Sequence, residues 1–406
     1  MKLKIFSYLN VSNPSNLEAD SGYIFQKILF GALIKIYPDL EIIFVCPSNT
    51  PFIDSRVRHI FIDDGYLNKY SVRFNFAWNF FMRNASLLAD VDYAIINQSE
   101  LTSNFRAYFS VINNTKVKII TYFHYLPIDG LPINGRVQFT ENMNHAYLAK
   151  TIFSRQMEAL SQADYCITCS KYAIQFIKLN AEILNKEFGE AVENKFINIA
   201  PPISIEEVDS SYCAKRFRKK TFIYNHRLYS HYGTEIIFNW LSEIYDEKQN
   251  FSVLVTDPTG KRSKERDVLD TSVKRLYQWI KEKPFVRIER IKSHQEYYKT
   301  LWSCHAGLGL LKPSALWSMS SVDVLACAKP LIAPNYACFP EMLNNRTSLL
   351  FNNKAEFKKI FGLILDNEDY YTKESMYCRN LANKYASNEI ASSFSKLFQN
   401  DKLEMK

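Results

Sequence analysis

At 406 residues the chain is too long for one ordinary hydrophobic core and fits two domains of roughly 200 residues each. An apolar fraction of 47%, sparse glycine and proline, and 15% aromatic residues exclude a low-complexity or disordered chain and predict order nearly throughout. The net charge of +8 favours acidic partners such as nucleotides, nucleic acid or anionic lipid, and equally fits a plain soluble enzyme. The eight cysteines follow no framework, and Met1-Lys2-Leu3-Lys4 runs straight into a strand. No apolar run approaches the roughly 20 residues that cross a bilayer, so the expectation is a cytoplasmic protein with at most peripheral membrane contact.

In chain order, Lys4 to Leu9 predicts the first strand. Gly22 to Tyr37 predicts a helix with Ile24, Phe25, Ile28, Leu29 and Leu33 on one stripe, and Glu41 to Cys46 the second strand. Further strands are predicted at 57–62, 94–97 and 117–123, and such short apolar runs between helical patterns predict a mostly parallel sheet. The strand at 117–123 ends in His124, and carboxyl ends of strands are where ligands gather in open α/β sheets. A histidine capping a strand for structural reasons is the alternative. Gly130 to Asn144 is polar and loop-like and is a candidate wall of a binding site. A helix is predicted from about Asn144 to Leu160. A strand then ends at Ser170, an N-cap for the next helix, with Cys166 and Cys169 as packing residues.

Phe196 to Ile203 predicts a strand with two prolines at its turn, and the polar, basic segment 206–220 predicts a linker after a first half that spans 1–205. The second half, 221–385, opens on the strand Thr221 to Leu228. It continues with strands at 251–256 and 286–291 and a capping box at Ser293 to Glu296. Residues 386–406 predict a closing helix and tail. The most informative stretch is 313–343. There a polar segment from Trp317 to Ser321 leads into Val322, Val324, Leu325 and Ala326; Ala328-Lys329-Pro330 stops the helix, and the buried strand Leu331-Ile332-Ala333 follows. This predicts a helix N-terminus whose free N–H groups face an anion, with Asp323 in the first turn reaching toward whatever the anion carries. A plain N-terminal helix charge is the alternative for Asp323.

That stretch resembles the donor-binding motif of the GT-B glycosyltransferases of family 4. Asp323 stands at the place of a glutamate that binds ribose, and Pro340-Glu341 matches a later Pro-Glu pair. The resemblance implies an α/β, GT-B architecture, two Rossmann-like domains facing across a cleft, and covers 115–400 well and 1–110 in outline. It implies a retaining transferase with a nucleotide-sugar donor, UDP-linked, and no metal or other cofactor. The amides of Met319, Ser320, Ser321 and Val322 would hold the phosphates and sugar. Arg227 would clamp the diphosphate, Arg290 and Ile291 would back the nucleobase, and His124 would meet the donor sugar. Two positions depart from the family. A first glutamate falls on Ala315, and a clamp lysine falls on Tyr232, with His226, His231 or Lys261 as compensating candidates.

For the acceptor, Asn225-His226-Arg227 resembles the strand end of enzymes that glycosylate a modified base in transfer RNA, and phage DNA-modifying glucosyltransferases share the architecture. With the basic clusters at 215–220 and 261–264, this makes a hydroxymethylated pyrimidine in DNA the first expectation. The simpler reading of both clusters is a solvated linker and a solvated loop. Synthesis of a surface polysaccharide or glycolipid is the second expectation, and a catalytically inactive GT-B-like binding protein the third.

Overall fold

The computed structural model describes residues 3–11, 17, 20–47, 54–62, 73–140, 148–215, 217–256, 272–291 and 293–404. They form two units, Met1–Pro202 together with Ile390–Lys406, and Ile203–Glu389.

The first unit is built on seven parallel strands: β1 Leu3–Tyr8, β2 Leu40–Cys46, β3 Val57–Phe61, β4 Tyr93–Ile96, β5 Lys118–Phe123, β6 Tyr165–Thr168 and β7 Phe196–Asn198. Their order is β3-β2-β1-β4-β5-β6-β7, so the winding reverses between β1 and β4. The central strands read as near-continuous apolar runs because both faces of the sheet are covered. On one face Phe6 and Tyr8 pack with Phe81, Phe105, Tyr108 and Phe109, the last three from helix α2, Thr102–Val111. On the other lies helix α1, Ser21–Ile36, with Phe25 stacked 4.7 Å from Tyr122. The Asp20 side chain caps α1 by accepting from the N–H groups of Gly22 and Tyr23. After helix α3, Leu148–Gln162, and β6, Ser170 caps helix α4, Lys171–Leu184, by accepting from Ala173 N, as the sequence predicts.

Two features of this unit differ from the sequence reading. The stretch after His124 is an ordered hairpin as far as Thr140, bridged at Ile128–Phe139 and Ile133–Arg136. Asn134 and Gly135 make its turn at φ 49° and 69°, the Asn-Gly pair that a two-residue hairpin favours. The predicted closing helix exists, and its residues from Ile390 onward belong to this unit. It is held by the Tyr37 and Ser395 hydroxyls 2.5 Å apart and by Phe398 packed 4.5 Å from Tyr93.

In the second unit, helix α5, Ile205–Ser210, is capped by Ser204. Segment 206–220 is therefore no plain linker. Its first residues form a helix packed within the second unit, where Trp302 Nε1 donates to Val208 O at 2.9 Å. The sheet comprises β8 Lys220–Tyr224, β9 Phe251–Thr256, β10 Val286–Glu289, β11 Ala306–Leu308, β12 Leu331–Pro334 and β13 Leu350–Phe351, in the order β10-β9-β8-β11-β12-β13, all parallel. The named helices are α6 Thr234–Lys248, α7 Ser272–Lys281, α8 His294–Ser303, α9 Met319–Ala326, α10 Lys354–Asp366 and α11 Glu368–Ala382, followed by α12 Ser387–Glu404, the closing helix. Gly307 sets α9 against the sheet: a Cβ there would meet Val324 Cγ1 at 2.7 Å, so only glycine lets the helix approach β11 this closely.

Candidate functional site

The winding of the second sheet reverses between β8 and β11, and in such sheets the crevice beyond the carboxyl ends at that point is the ligand site. The residues leaving β8 are Asn225, His226 and Arg227, and the loop leaving β11 leads to the N-terminus of α9. His226 bolts the two together. Its Nε2 lies 2.9 Å from Leu308 O, a group that can only accept, so Nε2 carries the proton. Nδ1 is then an acceptor for the Ser320 hydroxyl at 3.1 Å. Burial pushes this imidazole down to about 4. His226 is therefore a neutral structural strut and does not supply the cation missing at Tyr232.

Helix α9 is capped by Ser318, whose hydroxyl accepts from Ser321 N. Its first turn holds no acidic residue, which corrects the expected place of Asp323: that residue is one turn further in. The N–H groups of Ser321 and Val322 are turned back on Ser318, each 3.2 Å from its carbonyl. Of the four expected amides this leaves Met319 and Ser320, the first two helical positions, open toward an anion.

Asp323 is instead the centre of a hydrogen-bonded cluster. Tyr297 OH donates to Oδ2 and Tyr298 OH to Oδ1, both at 3.2 Å. Asn225 Nδ2 donates to Tyr297 OH at 2.7 Å and to Ser320 O at 2.9 Å. Desolvation raises the carboxyl from its ordinary 3.8 to about 6, against the pull of His294 and the two phenols and with help from the Glu207 charge. Burial and the Asp323 charge push both phenols well above their usual range. His294 is itself 2.9 Å from Glu207 Oε1. The sequence reading missed Tyr297 and Tyr298; their only local signal was a position one turn past the Ser293 cap, which does capture Glu296 N.

Arg227 is exposed, its Nη1 3.4 Å from Tyr229 OH. Tyr232 follows on a 3-10 turn, Ser230–Tyr232, with Lys312 Nζ 5.7 Å from its ring centre. His231 is exposed and stacked on Tyr229 at 4.9 Å. Ala315 is buried at 5% exposure, its carbonyl taken by Cys338 N. Arg290 and Ile291 lie just beyond β10, exposed and half-buried respectively. Lys261 and the whole 261–264 cluster lie outside the described residues. In the 215–220 cluster, Lys215, Arg218 and Lys219 are exposed, whereas Lys220 Nζ donates to Leu365 O at 2.7 Å. Among the described residues no three His, Cys, Asp or Glu are grouped to hold a metal ion, and no helix is long and apolar enough to cross a membrane.

His124 lies in the first unit at the carboxyl end of β5, its ring stacked 5.5 Å from Tyr122. Burial and the nearby Arg73 charge lower it to about 4, while a backbone contact at Tyr122 raises it slightly, so the ring is neutral near pH 7. The parallel register Ile95 with Ile120 carries on to set Asn97 beside Tyr122 on the same face. The Asn97 amide, the Tyr122 hydroxyl and His124 Nδ1 are buried with no hydrogen-bond partner among the described residues.

No protein-family model and no curated protein matches the chain. Solved structures do. A sucrose-phosphate synthase from Thermosynechococcus elongatus aligns over 99% of this chain and 100% of its own, with a TM-score of 0.70 at 14% identity. A glycosyltransferase from Rickettsia africae ESF-5 aligns over 98% of both chains, with a TM-score of 0.62 at 15% identity. Anabaena HepE, solved in complex with UDP-glucose, aligns over 98% of this chain and 100% of its own, with a TM-score of 0.66 at 10% identity. The chain thus has the fold of the GT-B glycosyltransferases, with two Rossmann-like units of seven and six parallel strands.

Proposed function

We propose that the protein is a retaining glycosyltransferase that moves a sugar, a hexose or pentose, from a UDP-linked donor onto a hydroxyl acceptor. The observation that carries this reading is the juxtaposition at the β8/β11 reversal of a helix N-terminus, an exposed arginine and a hydrogen-bonded carboxylate, on a chain that shares its fold end to end with glycosyltransferases. In this reading Arg227 and the N–H groups of Met319 and Ser320 stabilise the charge that develops on the departing diphosphate. Asp323 receives the ribose hydroxyls, Arg290 and Ile291 border the base, and neutral His124 donates or accepts a hydrogen bond at the donor sugar without carrying charge. No metal is assigned a role. A cytoplasmic setting fits eight cysteines that form no disulfide, seven of them buried.

For the acceptor, a hydroxymethylated pyrimidine in DNA is the first reading, supported by the net charge of +8 and the exposed Lys215, Arg218 and Lys219. A surface polysaccharide or glycolipid is the second, and one observation favours it: Lys220 is turned to the Leu365 carbonyl, out of any phosphate-facing row. The test is incubation with a panel of nucleotide sugars and either hydroxymethylated duplex DNA or a lipid-linked glycan, read by mass spectrometry of the acceptor and by released nucleoside diphosphate. Mass on the DNA supports the first reading; mass on the glycan alone replaces it with the second. Neither transfer nor donor hydrolysis with any sugar nucleotide would leave a non-catalytic binding protein and sink the transferase reading.

A further inference from the structure

The donor chemistry above leaves one group at the site without a task. Asn225 Nδ2 is pinned by the Ser320 carbonyl, which can only accept, so the orientation of this amide follows from its partners. The same nitrogen donates to Tyr297 OH, and that hydroxyl must then pass its own proton on to Asp323 Oδ2. The amide and the carboxylate therefore stand on either side of one phenol oxygen, at 2.7 and 3.2 Å from it. Asn225 Oδ1 is buried and has no hydrogen-bond partner among the described residues. A buried carbonyl oxygen left this way is unfavourable unless a ligand or water meets it. The Asp323 carboxylate also keeps acceptor capacity, since each oxygen has two lone pairs and receives one phenol.

Two acceptors, the Asn225 carbonyl oxygen and the Asp323 carboxylate, on side chains that bracket one phenol oxygen at 2.7 and 3.2 Å, suit a pair of hydroxyl donors on neighbouring carbons. Resting on the reading of this site as a nucleotide-sugar site, we propose that Asn225 is a second ribose-binding residue. Its Oδ1 takes one hydroxyl of the ribose diol while Asp323 takes the other, and Tyr297 is the positioning residue that sets both. The donor set also excludes the alternatives. An anion is repelled by the carboxylate and finds only acceptors at Oδ1, and an apolar group leaves both acceptors unmet. The 2′- and 3′-hydroxyls are the paired donors that a nucleoside diphosphate presents.

The experiment compares binding of UDP, 2′-deoxy-UDP and 3′-deoxy-UDP by calorimetry in the full chain, with Asn225→Ala and Tyr297→Phe as variants. The wild type is expected to prefer UDP over the weaker deoxy analogue by 10-fold or more, in line with the roughly tenfold effect of one lost hydrogen bond to a charged or buried partner. Asn225→Ala is expected to bring the preference for one of the two hydroxyls to within about 3-fold: the analogue lacking that hydroxyl binds as before, while UDP and the other analogue weaken. Tyr297→Phe keeps the ring and its packing, so thermal melts should be close to wild type, yet both hydroxyl preferences should shrink together. A purely structural Asn225 would change the affinity for all three probes alike, and that outcome overturns the inference. Retention of both preferences in Asn225→Ala overturns it as well. Binding of UDP with no hydroxyl preference in the wild type defeats the diol site alone, whereas no binding of any probe defeats the donor reading itself.

Discussion

Replacing Asp323 by Asn separates what the carboxylate costs the fold from what it does for a ligand. Burial raises its pKa from 3.8 to about 6, so the native state holds the proton more tightly than the unfolded chain does. The sign follows: relative to acid, native stability is lost as pH rises from the ordinary value through about 6 and is level above it. At about 1.4 kcal/mol per unit the full loss is about 3 kcal/mol, of which about 2 kcal/mol falls between pH 4.5 and 7.5. Asn carries no such dependence. Whatever the variant loses by giving Tyr297 or Tyr298 a poorer acceptor is nearly constant with pH, and His294, Glu207 and Cys327 surround the position in both proteins. The unfolding free energy of Asp323→Asn minus that of wild type should therefore be about 2 kcal/mol more favourable at pH 7.5 than at pH 4.5. Urea unfolding followed by tryptophan fluorescence reads this in the right place, because Trp240, Trp279, Trp302 and Trp317 all lie in the second unit. A difference that is the same at both pH values would refute the desolvated carboxylate.

Arg227→Ala is expected to lower transfer by a factor corresponding to about 2–4 kcal/mol, measured as released nucleoside diphosphate; an unchanged rate withdraws Arg227 from the site. His124→Ala should reduce turnover with little change in melting temperature, and a fall in melting temperature alone would make it a structural residue. Because the His124 ring is held neutral down to about pH 4, its contribution to the rate should be flat from pH 5.5 to 8, checked by the ratio of variant to wild-type rates across that range. Gly233→Ala meets a φ of +67° and Leu311 Cβ at 2.5 Å, so it should cost at least about 1 kcal/mol of stability, seen as a lower melting temperature.

Much of the fold was legible because apolar runs of four to seven residues alternating with helical stripes leave few ways to cover both faces of a parallel sheet. Strand β9 was read to the residue, and most others within one or two. The N-caps at Ser170 and Ser293 were legible too, since a short polar side chain before an apolar periodicity has one efficient use. The helix at Ile205–Ser210 was not, because a charged, one-and-a-half-turn helix has no apolar stripe to announce it. The hairpin after His124 carried its Asn134-Gly135 signal in plain view, but the exposed Leu131 and Ile133 at its tip broke the alternation that marks a strand. At the candidate site, the residues expected from the sequence, Arg227 and Asp323, are ones that lie in or next to a recognisable motif. Tyr297 and Tyr298 reach Asp323 from 26 and 25 residues away, on a helix whose rotation only the packing of α8 on the sheet determines.

The two departures from the family pattern gain a common meaning from what surrounds them. Ala315 offers no polar group, and Tyr232 replaces a full positive charge with a ring. In the proposed reading both losses would fall on the charged, sugar-phosphate side of the donor. Asn225 and the Tyr297 and Tyr298 hydroxyls fall beside Asp323, where the contacts are short-range hydrogen bonds. Charge contacts are screened by salt and tolerate poor geometry, whereas hydrogen bonds to a buried amide are insensitive to salt and fail when displaced by an ångström. Binding that leans on the second kind gives up some attraction for the diphosphate and gains discrimination between hydroxylated and deoxygenated ribose. In the proposed reading, raising the salt concentration should therefore weaken UDP binding to the Tyr232→Lys variant, with its restored cation, more steeply than binding to the wild type. Equal slopes in calorimetric titrations would mean that position 232 does not face the phosphates.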